Sequence, residues 1–63
     1  MHVAKRIKAA YKRSGLNYRE FASLLGVSVS TAYNWVHGKQ SARVVMLPRI
    51  ARVLGVTPAD LVS

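Results

Sequence analysis

Cysteine is absent from this 63-residue chain, and acids nearly so: Glu20 and Asp60 stand against ten lysines and arginines. Without cysteine there is no disulfide and no thiolate metal site, so packing alone has to hold the fold. With so few acids, no general acid/base pair and no Ser/His/acid set can be assembled, and Glu20 already has a use as a helix cap. His2 and His37 lack partners at metal-ligand spacing, and no glycine-rich loop is arranged to cradle phosphate. The expectation is therefore a protein that is not an enzyme, with no catalytic residue, no metal, no cofactor and no small-molecule ligand. No apolar run approaches the ~20 residues that a membrane span needs. Met1-His2-Val3 leads directly into charged sequence, unlike a signal peptide. A soluble protein of the cytoplasm is expected.

What is present is positive charge. The net charge of +8 and a pI near 11.0 favour a polyanion as partner. An anionic membrane surface competes for that role, but a membrane-surface helix sets its cations opposite a wide, bulky apolar face. Here the apolar faces are committed to a core. The length sets one small domain over residues 1–63. A chain of about 60 residues buries only ~60% of its unfolded surface, so a compact helical core suits it best.

The stretch Tyr18–Gly38 organises the rest. It reads as two short helices joined by a tight turn at Gly26-Val27-Ser28. In the first, Phe21, Ala22 and Leu25 share a stripe at helical spacing, with Arg19, Glu20 and Ser23 opposite. Asn17 is placed to cap its start and Glu20 to complete a capping box. Gly26 is the stop. Ser28 is the N-cap of the second helix, whose inner side is Ala32, Trp35 and Val36. Its outer side is short and polar: Ser30, Thr31, Asn34 and His37. Gly38 ends it. Such a helix is shaped to enter a groove. The plain alternative is a helical bundle with an incidental turn, which leaves the polar face and the basic bias unexplained.

Ala22, Gly26, Ala32 and Trp35, the Gly-Val-Ser at the turn and Gly38-Lys39 resemble the helix-turn-helix of the phage Cro and repressor family (XRE type). The resemblance continues through Leu47-Pro48 and Leu54-Gly55-Val56, nearly the whole chain. Packing gives a reason for the Ala22, Gly26, Ala32 spacing. A small residue at 22 lets the helices approach, Gly26 makes the turn, and residue 32 lies in the crossing.

Around this pair, a first helix is expected from about Val3 to Arg13, with Val3, Ala4, Ile7, Ala10 and Tyr11 on one arc. Lys5, Lys8 and Lys12 fall on one flank and Arg6 and Arg13 on the other, a solvated rim with a long-range pull on DNA. Gly15 ends the helix, and Leu16 turns back to the core. A loop runs between Gly38 and Met46. A fourth helix opens at Leu47-Pro48, where proline suits a first turn, and buries Leu47, Ile50, Ala51 and Leu54. Gly55 stops it. Thr57-Pro58-Ala59-Asp60 reads as a cap, an N1 proline and a capping-box acid, opening a fifth helix that carries Leu61. The fold class is all-α: a compact five-helix bundle containing a helix-turn-helix, a lambda-repressor-like DNA-binding domain.

The resemblance implies that the third helix lies in the major groove. Carried over residue by residue, the base-facing positions are Ser28, Val29, Ser30, Tyr33 and Asn34. Asn34 has the amide for a bidentate pair to adenine. Val29 either packs on a thymine methyl or closes the core at the helix boundary, and Tyr33 either reaches a phosphate or flanks the core. Phosphate contacts are implied for Asn17, Tyr18 and Thr31 and, in the loop, for Lys39, Gln40 and Arg43. Asn17 has a second reading as a helix cap only. His37 is a helix-end residue within reach of a phosphate. Three departures from the family are visible. Tyr18 stands where glutamine is common, so it either donates its hydroxyl or covers the core. Val36 and Tyr11 stand where many relatives place an ion pair. The loop after the third helix is one residue longer.

Val44, Val45, Val53, Val56, Pro58 and Val62 are more apolar residues than a core of this size needs. Of these, Val44, Val45, Val56 and Pro58 are the expected lining of a two-fold contact, the alternative being ordinary surface valines. The resemblance thus implies a Cro-like transcriptional repressor that works at the nucleoid. It would bind a palindromic operator in double-stranded DNA as a weak homodimer completed on DNA. Because the chain ends just after the fifth helix, no regulatory domain is expected. An antitoxin or accessory module that uses the same fold to hold another protein is the alternative.

Overall fold

Helical periodicity is realised in each segment where the spacing predicts it among the described residues. The computed structural model describes residues 3–62; Met1, His2 and Ser63, and with them the reading of His2 as partnerless, lie outside the described residues. Five α-helices follow one another: α1 (Val3–Ser14), α2 (Tyr18–Leu25), α3 (Val29–Val36), α4 (Leu47–Leu54) and α5 (Pro58–Val62). Among the described residues there is no strand. The one element not anticipated is a 3-10 turn at Val44–Met46, in what reads from sequence as open loop. It runs directly into α4, so that Leu47 enters the helix already turning.

The inner stripes expected for α2, α3 and α4 are buried, while in α1 Val3, Ala4 and Tyr11 of the expected arc are only half-buried. Ile7 and Ala10 come from α1, Phe21, Ala22 and Leu25 from α2, and Ala32, Trp35 and Val36 from α3. Leu47, Ile50, Ala51 and Leu54 come from α4, and Leu61 from α5. These residues form one cluster, and Val3, Tyr11, Leu16 and Tyr18 pack against its edge. No charged side chain is buried among the described residues. One polar atom is: the indole Nε1–H of Trp35 is enclosed with no hydrogen-bond partner there, an arrangement that costs about 1–3 kcal/mol.

Local chemistry sets the helix ends. The Asn17 side chain accepts from the Glu20 backbone N–H at 2.8 Å, while the Asn17 N–H donates to Glu20 Oε1 at 3.1 Å. That reciprocal capping box starts α2. Gly26 closes it in the left-handed region at φ 76°, where a side chain would be strained. Gly38 has a second reason to lack a side chain. At φ 71° its position is left-handed, and a Cβ there would stand 3.3 Å from Ala4 Cβ of α1. The chain leaving α3 thus passes against α1 at close range.

At α5, Thr57 and Asp60 exchange hydrogen bonds: the Thr57 N–H donates to Asp60 Oδ2 at 3.0 Å and the Asp60 N–H to Thr57 Oγ1 at 3.3 Å. The Thr57 bonds, with Arg13 and Arg6 adding, hold the Asp60 carboxyl below its ordinary value of 3.8. A carboxyl whose folded value is lowered contributes stability that is present above the ordinary value and lost as pH falls through the folded one. Asp60→Asn is therefore expected to flatten the acid limb of the stability profile below about pH 4. Urea midpoints of the two proteins across that range check it; parallel acid limbs would remove Asp60 from the account.

The sequence reading needs correction at the surplus apolar positions. Val53 and Val56 are half-buried and pack against the core. Val56, expected in a two-fold contact, is thus largely committed to its own chain: it is carried there by the turn after α4, where its N–H bonds the Ala51 carbonyl at 2.9 Å. The free apolar surface is narrower. Val44 and Val45 on the 3-10 turn are 80% and 79% exposed, Val62 is exposed, and Pro58 is exposed.

A candidate nucleic-acid interface on the third helix

The site is built on α3 because the other side of that helix is used up. Burial of Ala32, Trp35 and Val36 against the core turns the remaining residues outward. Ser28, Val29 and Ser30 are exposed, Thr31 and Asn34 half-exposed, and Tyr33 and His37 exposed. Residues four apart on a helix share a face, which gives two adjacent rows, Ser30 with Asn34 and Val29 with Tyr33 and His37. Val29 is 48% exposed, so the reading in which it closes the core does not describe it.

Ser28 is less available than its exposure suggests. Its Oγ accepts from the Thr31 N–H at 3.1 Å and donates to Thr31 Oγ1 at 2.9 Å. The hydroxyl proton is thereby spent inside the helix cap, and what remains to an incoming base is acceptor capacity. Thr31 keeps its own hydroxyl proton.

The loop residues are held against the same helix end. The backbone N–H groups of Lys39 and Gln40 both donate to the Asn34 carbonyl, at 2.9 and 3.3 Å. Lys39, Gln40 and Arg43 are exposed, so the loop offers its polar side chains next to α3. At the start of α2, the capping box engages the Asn17 N–H and carbonyl oxygen of the side chain and leaves its amide NH2 as a donor. Both readings of Asn17 are compatible with this geometry.

What sequence reasoning missed is the connection between these two ends. Tyr11 of α1 stacks on Tyr18 of α2 with ring centroids 4.8 Å apart and planes 16° from parallel. Tyr18 meets Tyr33 at 5.3 Å, Tyr33 meets His37 at 4.2 Å, and Lys39 Nζ lies 5.3 Å from the Tyr33 ring centroid. The Tyr18 hydroxyl and His37 Nε2 are hydrogen-bonded at 2.7 Å. This aromatic row joins α1, the start of α2, the end of α3 and the loop. Each aromatic pair contributes about 0.5–1.5 kcal/mol beyond its area. Desolvation beside its neighbours, with Tyr18 and Glu20 adding, pushes the Tyr11 phenol above its ordinary value. Tyr33–His37 was legible as a four-residue spacing. Tyr18–His37 was not, since nothing local links residues nineteen apart. Tyr11, which stands with Val36 where many relatives place an ion pair, packs its ring against those of Tyr18 and Phe21.

The order of helices, the capped turn at Gly26 and the outward polar face of α3 are the parts of a helix-turn-helix. A helix-turn-helix family model matches residues 7–61. The chain belongs to that family. No curated protein and no solved structure shows significant similarity to it. Family membership makes this a domain of the kind with which transcription regulators bind double-stranded DNA. No described helix is long and apolar enough to cross a membrane.

Proposed function

We propose that the protein is a transcriptional repressor of the Cro kind, reading a palindromic operator with α3 in the major groove. The observation that carries this reading is the outward face of α3. It combines groups that hydrogen-bond base edges (Ser30, Asn34) with one that packs on a thymine methyl (Val29), on a chain of net charge +8. In this reading Tyr33 and Ser28 border the base-reading surface. Thr31, the Asn17 amide and Tyr18 take phosphates on one side, and Lys39, Gln40 and Arg43 take them on the other. The cations of α1 add a sequence-independent pull.

In this reading two copies bind, one to each half-site. The domain measures 26 × 22 × 19 Å, whereas half-sites on one face of B-DNA recur about every 34 Å. Val44, Val45 and Pro58 are the apolar residues left to line a two-fold contact, with Val56 at its edge. They are few, so the contact is weak in free solution and is completed on DNA.

Selection of bound duplexes from a random pool, followed by sedimentation on the recovered site, tests this. The expected result is a palindrome with two copies bound and a monomer in its absence. Recovery of no preferred sequence would reject specific reading, and one copy on a full palindrome would reject the dimer. The antitoxin or accessory reading has no observation of its own here beyond the shared fold.

A further inference from the structure

We propose that His37 is a positioning residue that decides whether Tyr18 can offer its proton to a DNA phosphate, so that duplex binding takes up a proton. The inference rests on the DNA-binding reading above and deepens it.

A tyrosine hydroxyl has one proton to give. In the structure it faces His37 Nε2 at 2.7 Å, and that contact has two forms. If Nε2 is bare, the Tyr18 O–H donates to it, and the hydroxyl turns only lone pairs outward, which repel a phosphate oxygen. If Nε2 carries a proton, the imidazole N–H donates to the Tyr18 oxygen, and the O–H is released to donate to phosphate. Neutral histidine divides between these forms as its tautomers. Imidazolium, a donor at both nitrogens, always takes the second. The released chain runs from His37 N–H to Tyr18 oxygen and from Tyr18 O–H to phosphate oxygen, and each bond polarises the next.

The surroundings place the proton uptake in the complex. Facing the His37 ring are Tyr18 from α2, 5.9 Å away between centroids, and Tyr33 from α3 at 4.2 Å. Lys39 from the loop sits over the Tyr33 ring, and Tyr11 from α1 backs Tyr18, with Glu20 acting on Tyr11 electrostatically. A phosphate at Tyr18 brings an anion beside His37, which favours the charged imidazole in the complex. Tyr18 is at the first position of α2, where the helix dipole and free N–H groups also favour the anion.

The test uses a mixed-sequence duplex of about two helical turns, because phosphate contacts do not depend on sequence. Wild type is expected to bind about tenfold more tightly near pH 6 than near pH 8, the span in which imidazole changes charge. Tyr18→Phe keeps the histidine and loses its acceptor, and should bind weakly with most of that dependence gone. His37→Gln, whose neutral amide can give Tyr18 either an N–H or an oxygen, and His37→Ala, which leaves the Tyr18 O–H without its partner, should both bind without pH dependence, more weakly than wild type near pH 6 and no more weakly than wild type near pH 8. Circular dichroism and melting temperature show that each variant is folded. A pH dependence that survives in Tyr18→Phe would mean that His37 acts only as a charge, and overturns the proposal. So does a flat wild-type profile with binding intact, which leaves the DNA-binding reading standing. No binding at any pH overturns both.

Discussion

Phe21→Ala leaves the chain unfolded at room temperature. Phe21 is the largest of the fully buried side chains, with no exposed surface, and it sits on α2 where that helix packs on α3 and α4. Tyr11 lies against it at 5.4 Å between ring centroids, tilted by 47°. Removal of a buried phenyl ring costs about 3–5 kcal/mol through lost transfer energy and the cavity left behind. At ~0.05–0.15 kcal/mol per residue, a domain of this length has about 3–9 kcal/mol in total. The loss is therefore comparable to the whole. There is also no disulfide to limit it, because the chain has no cysteine, and no buried ion pair among the described residues. Far-ultraviolet circular dichroism and a urea titration check the prediction. A cooperative transition displaced by less than about 1 kcal/mol would show that neighbouring side chains collapse into the space.

Asn34→Ala relaxes discrimination at one base pair, by about 1–3 kcal/mol, which is roughly five- to 150-fold. Lys39→Ala and Arg43→Ala act differently. Each weakens binding to all sequences and lowers the slope of log affinity against log salt by about one. The contrast follows from placement. Asn34 shares the outward face of α3 with Ser30, while Lys39 and Arg43 are exposed in the loop that is pinned to the end of that helix. Truncation at 34 leaves the backbone carbonyl that anchors the loop untouched, so the two effects are separable. Titrations of the preferred site and of its single-base variants, at several salt concentrations, give both quantities. If Asn34→Ala has the specificity of wild type, α3 does not read bases through this residue.

The reading from sequence reached far in the helices and stopped at contacts between them. Every inner stripe came from 3.6-residue spacing, and the start of α2 and of α5 from cap chemistry within four residues. Such signals are local and strong, since a misplaced apolar residue or a missing cap is costly wherever the chain later packs. Apolar count was a poorer guide. Val53 and Val56 look identical in sequence to Val44 and Val45, yet α4 lays Val53 and the turn after it lays Val56 on the core, while the 3-10 turn holds the second pair out. At the candidate site, polarity and spacing gave the outward face of α3. They did not reveal that Ser28 spends its proton on Thr31, or that Tyr18 and His37 are bonded.

The sequence by itself determined that the chain is helical, where its helices begin and end and which side of each is buried, and its charge favours a polyanion as partner. These follow from periodicity, capping and charge, which are properties of neighbouring residues and of the total. The tertiary structure alone decided which polar groups remain free to meet that partner. Hydrogen bonds and ring contacts between residues far apart in the chain depend on how α1, α2 and α3 cross, and that crossing is set by the packing of the core as a whole.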